Sequence, residues 1–329
     1  MMAVLARAPG RADAGWRTWL VQNREVAAIT LVLVALVVLS SALSDRFLTP
    51  RNLNNVGTNA VSLALLATGQ TFVILAGGID LSVGSTVTIT NVIAARLMEW
   101  YPDLWPLIAL GVLLLGLAIG LVNGLLITRL RIPAFLVTLG MLSILQGVTF
   151  VISRSQAGSI PSVFEFFAFG AVGPLPFGFL LGVAVVAIGM YALANTAFGR
   201  YVYAVGGNAE GARLSGIPVD RVVLGTYVLS GFLAAAAGLF ITSRVGIGIP
   251  TLGQGLELDS VTAVVIGGTS LFGGQGGLVG TAVGVLILRI VDNILNLTQV
   301  SAFWQQVVKG LIIVAAVAIY VPRRVRKSL

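Results

Sequence analysis

Carboxylates sit where an otherwise apolar chain breaks on glycine. Residues 257–277, ELDSVTAVVIGGTSLFGGQGG, open with Glu257 and Asp259 and break at Gly267-Gly268, Gly273-Gly274 and Gly276-Gly277. A charge at the centre of a membrane helix costs roughly 2.5–3.5 kcal/mol on insertion scales. Such acids are therefore expected at a helix mouth or facing a polar pathway. Glycine pairs at membrane depth let backbones approach closely, or let a helix unwind where it lines a cavity. The segment reads as part of a solute path, with Thr269 and Ser270 among its polar groups.

A second segment, AGGIDLSVGS at 76–85, sets Asp80 after an apolar run and two glycines and ahead of Ser82 and Ser85. Aligned on the glycine pairs, Gly77-Gly78-Ile79-Asp80-Leu81 parallels Gly267-Gly268-Thr269-Ser270-Leu271. Both spans run in the same direction in the topology below, as in a parallel internal repeat. Asp80 either lines the path or supports the broken helix by accepting backbone N–H groups. Gln70, Asn123 and Asn59 either face a solute path or hydrogen-bond between helices. Arg289 and Asp292 lie three apart on one expected helix, where each neutralises the other. Lys309, near the middle of the last span, either pairs with an acid or faces a subunit seam.

A third pattern lies in the loop 196–221, TAFGRYVYAVGGNAEGARLSGIPVDR. Gly206-Gly207 is expected to break the chain, and Asn208 suits an N-cap, accepting from orphan N–H groups of the next turn. Ala209 to Ser215 then forms about two turns, with Gly216 at the left-handed C′ position and Pro218 preventing continuation. Glu210 in the first turn and Arg213 three residues later match the helix dipole and each other. The residues support either a docking element or a plain connection.

The elements that position these groups follow from composition. Of 329 residues 57% are hydrophobic and 10% charged, with no histidine and no cysteine; mean hydropathy is +1.00. Soluble domains carry about 25% charged residues, so this is a polytopic all-α membrane protein. Disulfides, thiolate metal sites and histidine acid–base chemistry are excluded. Apolar runs of about 20 residues, enough to cross a hydrocarbon core, fall at 26–44, 54–76, 82–98, 105–127, 134–152, 176–195, 222–243, 258–272, 278–295 and 303–321. The division is a segment 1–25, a membrane domain 26–321 and a basic tail 322–329. The run 26–44 is too long for a leader and is read as a retained helix.

Ten spans with both termini in the cytoplasm put thirteen Lys/Arg inside, among them Arg7, Arg11, Arg17, Arg200, Arg213, Arg323, Arg324, Arg326 and Lys327, against four outside. The basic excess is thus a topology signal, and nucleic acid is not a partner. Phe164, Phe166, Phe167 and Phe169, in an outside segment, read as an interfacial helix contacting lipid headgroups, or as a contact for a binding protein. The two lysines, Lys309 and Lys327, lie outside any GxxxxGK[ST] context, so this chain cannot cradle nucleotide by a P-loop.

GRYVYAVGGNAEGARLSGI, with AGGIDLSVGS, IPAFLVTLG at 132–140, the ELD segment and Trp304-Gln305, resembles the permease subunits of bacterial ribose/xylose/galactose-type ABC importers. The resemblance runs from about Asn52 to the C-terminus. It implies a homo- or heterodimeric membrane core, two ATPase subunits carrying ATP and Mg2+ on the cytoplasmic face, and a periplasmic sugar-binding protein. This chain itself is then neither an enzyme nor a cofactor carrier. The resemblance also implies that Arg200, Gly207, Asn208, Glu210, Ala212, Arg213, Leu214 and Gly216 couple to the ATPase. The family has Ala-Ala before the arginine where this chain has Gly211-Ala212, a change costing an isolated helix about 1 kcal/mol. A permease served by a binding protein needs little affinity of its own, which favours support as the role of Asp80. Rivals are an ion-coupled transporter titrating Asp80, Glu257 or Asp259, a passive facilitator or scaffold, and an ABC permease for nucleosides, branched-chain amino acids or autoinducer sugars.

Overall fold

The computed structural model describes residues 24–320. Most of the segment 1–25 and the basic tail, with Arg7, Arg11, Arg17, Arg323, Arg324, Arg326 and Lys327, lie outside the described residues. The chain folds as helices α1 (Arg24–Leu43), α2 (Pro50–Leu75), α3 (Val83–Trp100), α4 (Trp105–Arg129) and α5 (Ala134–Ile152). A one-turn helix α6 (Phe166–Phe169) and a hairpin of β1 (Ala171–Val172) and β2 (Leu175–Pro176) lead to α7 (Phe177–Asn195). There follow α8 (Ala197–Gly207), α9 (Ala209–Leu214), α10 (Val219–Val245), α11 (Leu256–Ile266), α12 (Leu278–Leu297) and α13 (Ala302–Tyr320).

Each expected span falls on a helix, but not all are full crossings by length and composition. Among the described residues six are long and apolar enough: Pro50–Leu75, Pro102–Arg129, Ala134–Ile152, Phe177–Asn195, Val219–Val245 and Leu278–Leu297. The expected span 258–272 is instead the 11-residue α11. At about 1.5 Å per residue it covers roughly half of a 30 Å core. It stops at Ile266 because Gly268 turns left-handed (φ 88°), a conformation glycine adopts without a Cβ penalty. The following residues, 267–277, run as a glycine-rich irregular loop.

The core is built around α2 and α10. Thr49 caps α2, its hydroxyl accepting from the Asn52 N–H, with Pro50 at the first turn. From Ala60 onward nearly every residue of α2 is buried, the sign of a helix enclosed on all sides. On one face Val61, Leu65 and Leu66 meet Val83 and Val87 of α3 and Leu233, Ala234 and Ala237 of α10. On another, Leu63, Ala67 and Ile74 meet Ala263 and Val264 of α11 and Leu288 of α12. The α4–α10 seam is set by Gly116, Gly120 and Gly124, spaced four apart on one face of α4. A Cβ on Gly120 would lie 2.9 Å from the Val228 Cα. Small residues at i, i+4 allow this backbone approach where dispersion rather than the hydrophobic effect drives packing.

The aromatic segment divides between core and surface. Phe164 is buried against Trp105 (centroids 5.7 Å) and Phe167 packs edge-on to the same ring (5.9 Å). Phe166 and Phe169 are exposed. Two of the four aromatics therefore face outward from a turn, in place of one continuous interfacial helix.

Candidate functional site

Asp80 lies in the break between α2 and α3 and is buried. Its Oδ1 accepts from the Ser82 N–H (3.0 Å) and the Ser82 hydroxyl (2.6 Å), and its Oδ2 accepts from the Ser230 hydroxyl of α10 (2.8 Å). Asn123 of α4 donates to the Ser82 Oγ (2.9 Å). Tyr227 and Thr138 donate to the Ile79 carbonyl (3.3 and 3.2 Å). The Gln70 amide brackets the Asp80 backbone, Nε2 donating to its carbonyl (3.1 Å) and Oε1 accepting from its N–H (3.2 Å). Four helices thus converge on one irregular turn, and non-helical backbone at this depth persists only when its polar groups are satisfied by protein or water. Sequence reasoning named Asp80, Ser82, Gln70 and Asn123 but missed Ser230, Tyr227 and Thr138. A signal was available in Tyr227 and Ser230, polar groups one helical turn apart on an apolar helix.

The same capping geometry ends α2 and α11. Gly77 is left-handed (φ 87°), with Gly77 N donating to Ile74 O (2.9 Å) and Gly78 N to Val73 O (2.9 Å). Gly268 is left-handed (φ 88°), with Gly268 N donating to Val265 O (2.9 Å) and Thr269 N to Val264 O (3.1 Å). Both are Schellman caps. Their equivalence is Gly77 with Gly268 and Gly78 with Thr269, one residue out from the pair-on-pair alignment expected from the sequence. Asp80 therefore corresponds to Leu271, not Ser270. Thr269 is buried and accepts from the Gly277 N–H (3.2 Å), while Ser270 accepts from the Phe272 N–H (3.3 Å). Both serve the loop itself.

Asp259 turns away from any opening and into a charged quartet. Arg289 reaches Asp259 (3.3 Å) and Asp292 (3.0 Å), and Lys309 reaches the same two acids (both 3.1 Å). Two cations and two anions from α11, α12 and α13 cancel, as charges removed from water must. The expected Arg289–Asp292 pair is thus extended by two partners, and Lys309 pairs with acids. Glu257, near the start of α11, accepts from the Gly255 N–H (3.1 Å). Asn59 accepts from Arg244, a contact the sequence did not suggest.

In the loop 196–221, Thr196 caps α8 by accepting from the Gly199 N–H (3.2 Å). The helix continues through Gly206 and Gly207, so this pair does not break the chain; the break comes at Asn208, in extended conformation (φ −160°). Asn208 Oδ1 accepts from the Gly211 N–H (2.9 Å), capping the six-residue α9. A Cβ on Gly211 would press on the Asn208 side chain at 3.3 Å, which gives this glycine a local reason. Gly216 closes the helix left-handed (φ 80°), with Ile217 N donating to Ala212 O (3.0 Å). Ala212 faces the protein body, whereas Glu210, Arg213 and Leu214 face outward, Leu214 at 82% exposure. Arg213 pairs with Asp220 (3.5 Å), which also meets Arg131 (3.5 Å). Arg200 is exposed on α8. Tyr203 of α8 donates to the Gly276 carbonyl (2.9 Å), and burial raises its hydroxyl above the usual phenol range, keeping it a donor.

Residues 52–317 match the family model described as branched-chain amino acid transport system / permease component. The chain belongs to this permease family. It is similar to the ribose import permease protein RbsC of Escherichia coli (strain K12), 40% identical over 309 residues, 92% of this chain and 94% of that one. It is 41% identical to RbsC of Bacillus subtilis over 299 residues, 87% of this chain and 90% of that one. It is 38% identical to the L-arabinose ABC transporter permease protein AraH of Azospirillum brasilense over 314 residues, 95% of this chain and 91% of that one. No solved structure matches it. With six helices among the described residues apolar enough to cross a bilayer, this permease is a multi-pass protein of the inner membrane.

Proposed function

We propose that this permease is half of the dimeric membrane core of an ATP-driven, binding-protein-dependent importer whose solute is a monosaccharide. The observation that carries the reading is α9, a helix of six residues capped at both ends that holds Leu214 in solvent. A single exposed apolar side chain is ordinary on a protein surface; what sets this one apart is that the capped helix fixes it beside outward-facing Glu210 and Arg213, a small mixed face suited to a partner. Cytoplasmic ATPase subunits, carrying ATP and Mg2+, are that partner. Asn208 and Gly216 shape the element, Ala212 seats it on the body, and Leu214, Arg213 and Glu210 meet the ATPase together with the exposed Arg200 and Gly207.

Both termini in the cytoplasm follow from the Lys/Arg bias, with the short α11 and the loop 267–277 together taking the place of one of the ten expected passes. A loaded periplasmic binding protein docks outside, a second permease subunit completes the core, and lipid surrounds it. ATP-driven closure inside then switches the path between outward- and inward-open states. Moving such an equilibrium from 1:99 to 99:1 takes about 5.5 kcal/mol. The sugar assignment rests on the named substrates of the relatives; the family description leaves branched-chain amino acids as the second reading. Asp259 is bound by two cations and Asp80 accepts from three donors, which disfavours either as the titrating group of an ion-coupled carrier.

The test is affinity purification of the permease with its ATPase from mild detergent, comparing wild type with Arg213→Glu. An ATPase that copurifies with wild type and is lost on charge reversal supports the reading. Absence of any ATPase activity with wild type, in several detergents, rejects it.

A further inference from the structure

Gly206 lies inside α8, where a glycine costs about 1 kcal/mol against alanine, and its position explains why it is there. Gly206 sits against the backbone of two other segments. A Cβ on it would fall 2.6 Å from Gly274 N and closer still to the Leu75 carbonyl oxygen. Gly273 and Gly274 form a left-handed turn (φ 84° and 71°) in the loop 267–277. A Cβ on Gly274 would lie 2.7 Å from the Gly207 N and Cα, and one on Gly273 3.1 Å from the Gly77 Cα. Gly274 N donates to the Leu75 carbonyl (2.9 Å), at the last residue of α2, and Tyr203 of α8 holds the loop at Gly276 (2.9 Å). Around this contact Leu75, Val205, Leu278 and Ala212 of α9 share one buried apolar cluster.

Three backbones therefore meet with no side chain between them: the end of α8, the cap of α2 and the loop after α11. The first leads directly into Asn208, the N-cap of α9. The second leads into the Asp80 turn. Contacts between packed backbones leave no rotamer to absorb a displacement, so a small shift at one segment is imposed on the others.

We propose that Gly206, Gly273 and Gly274, with Tyr203, are positioning residues that form a backbone clasp, carrying movement of α9 into both Schellman-capped, glycine-broken segments together. The proposal rests on the reading of α9 as the ATPase contact. It predicts that the clasp can be loosened without touching the ATPase surface.

The chain has no native cysteine, so Gln275→Cys, at an exposed position in the loop, supplies the only thiol on the permease, and its labelling in the full permease–ATPase complex is read on the separated permease band. The measurement is the thiol-labelling rate of this reporter with and without ATP. In the parent, ATP changes the rate roughly fivefold or more, the lower end of ordinary intersite coupling. Adding Gly206→Ala or Gly274→Ala reduces the response below about twofold while the ATPase still copurifies. Tyr203→Phe, which removes one hydroxyl and adds no volume, reduces it partway, and decides the question alone if the alanine variants fail to assemble. Gly140→Ala on α5, where a Cβ meets nothing within 4 Å, leaves the response intact. A parent reporter that does not respond to ATP, or an unchanged response in Gly206→Ala and Tyr203→Phe, overturns the clasp. Failure of any ATPase to copurify with the parent overturns instead the function on which it rests.

Discussion

Lys309→Met is the most informative single change in the membrane interior. Lys309 Nζ lies 3.1 Å from both Asp259 and Asp292, with Arg289 completing a neutral set. Its side chain is 25% exposed and those of the two acids 12% and 15%, so water screens the group little. At an effective dielectric of about 20, each 3.1 Å contact has a Coulomb energy near 5 kcal/mol before desolvation is subtracted. Methionine keeps most of the stem's volume and removes the charge, leaving two carboxylates with one guanidinium. Breaking a buried ion set in this way costs about 3–5 kcal/mol, because the remaining charge is uncompensated. The reasoning makes a sharper forecast for the double variant Lys309→Met/Asp292→Asn. Neutrality is restored through the Arg289–Asp259 pair, and the amide oxygen at 292 still accepts from Arg289. At least half of the lost stability returns. The assay is the unfolding free energy in mixed micelles for wild type, each single variant and the double. A single variant as stable as wild type, or a double variant no better than Lys309→Met, would refute the charge-balance account.

Asp80→Ala strips the acceptor from three buried donor contacts, each worth about 1–3 kcal/mol when left unmade. A loss of several kcal/mol in detergent stability and of solute uptake is expected, whereas Asp80→Asn, which keeps an acceptor toward Ser82, loses about half as much; equal losses would argue for charge rather than hydrogen bonding. Asn208→Ala removes the cap of a six-residue helix, costing about 1 kcal/mol. ATPase copurification should fall about fivefold, the factor corresponding to that energy, with global stability unchanged. Unaltered copurification would show that α9 keeps its shape without the cap.

Much of this was legible before any coordinates, for identifiable reasons. The apolar runs mark the helices because bilayer length and hydropathy leave no alternative, and the Asn208, Gly216 and Pro218 pattern gives α9 through capping chemistry alone. Failures fall where tertiary contact decides. Gly206-Gly207 reads locally as a breaker yet is helical, and the glycine at 206 is needed for backbone contact with Leu75 and Gly274. The run 258–272 reads as a span yet stops at Ile266, since Gly268 takes the left-handed conformation that closes a cap. The repeat is recognisable from its glycines, but its register depends on which glycine has positive φ. Ser230 beside Asp80 and Lys309 beside Asp259 are separated by long stretches of chain, and no local pattern encodes them.

The most direct test of the central claim is uptake of radiolabelled ribose into proteoliposomes holding this permease, with purified ATPase and binding protein supplied. The account predicts accumulation that requires ATP on the ATPase side, requires the binding protein, and persists when protonophores and sodium ionophores collapse the ion gradients; an ATP- and binding-protein-dependent accumulation of another solute, with ribose excluded, would retain the mechanism and correct the substrate. Uptake by the permease without an ATPase, abolished when the ion gradient is dissipated, would contradict it.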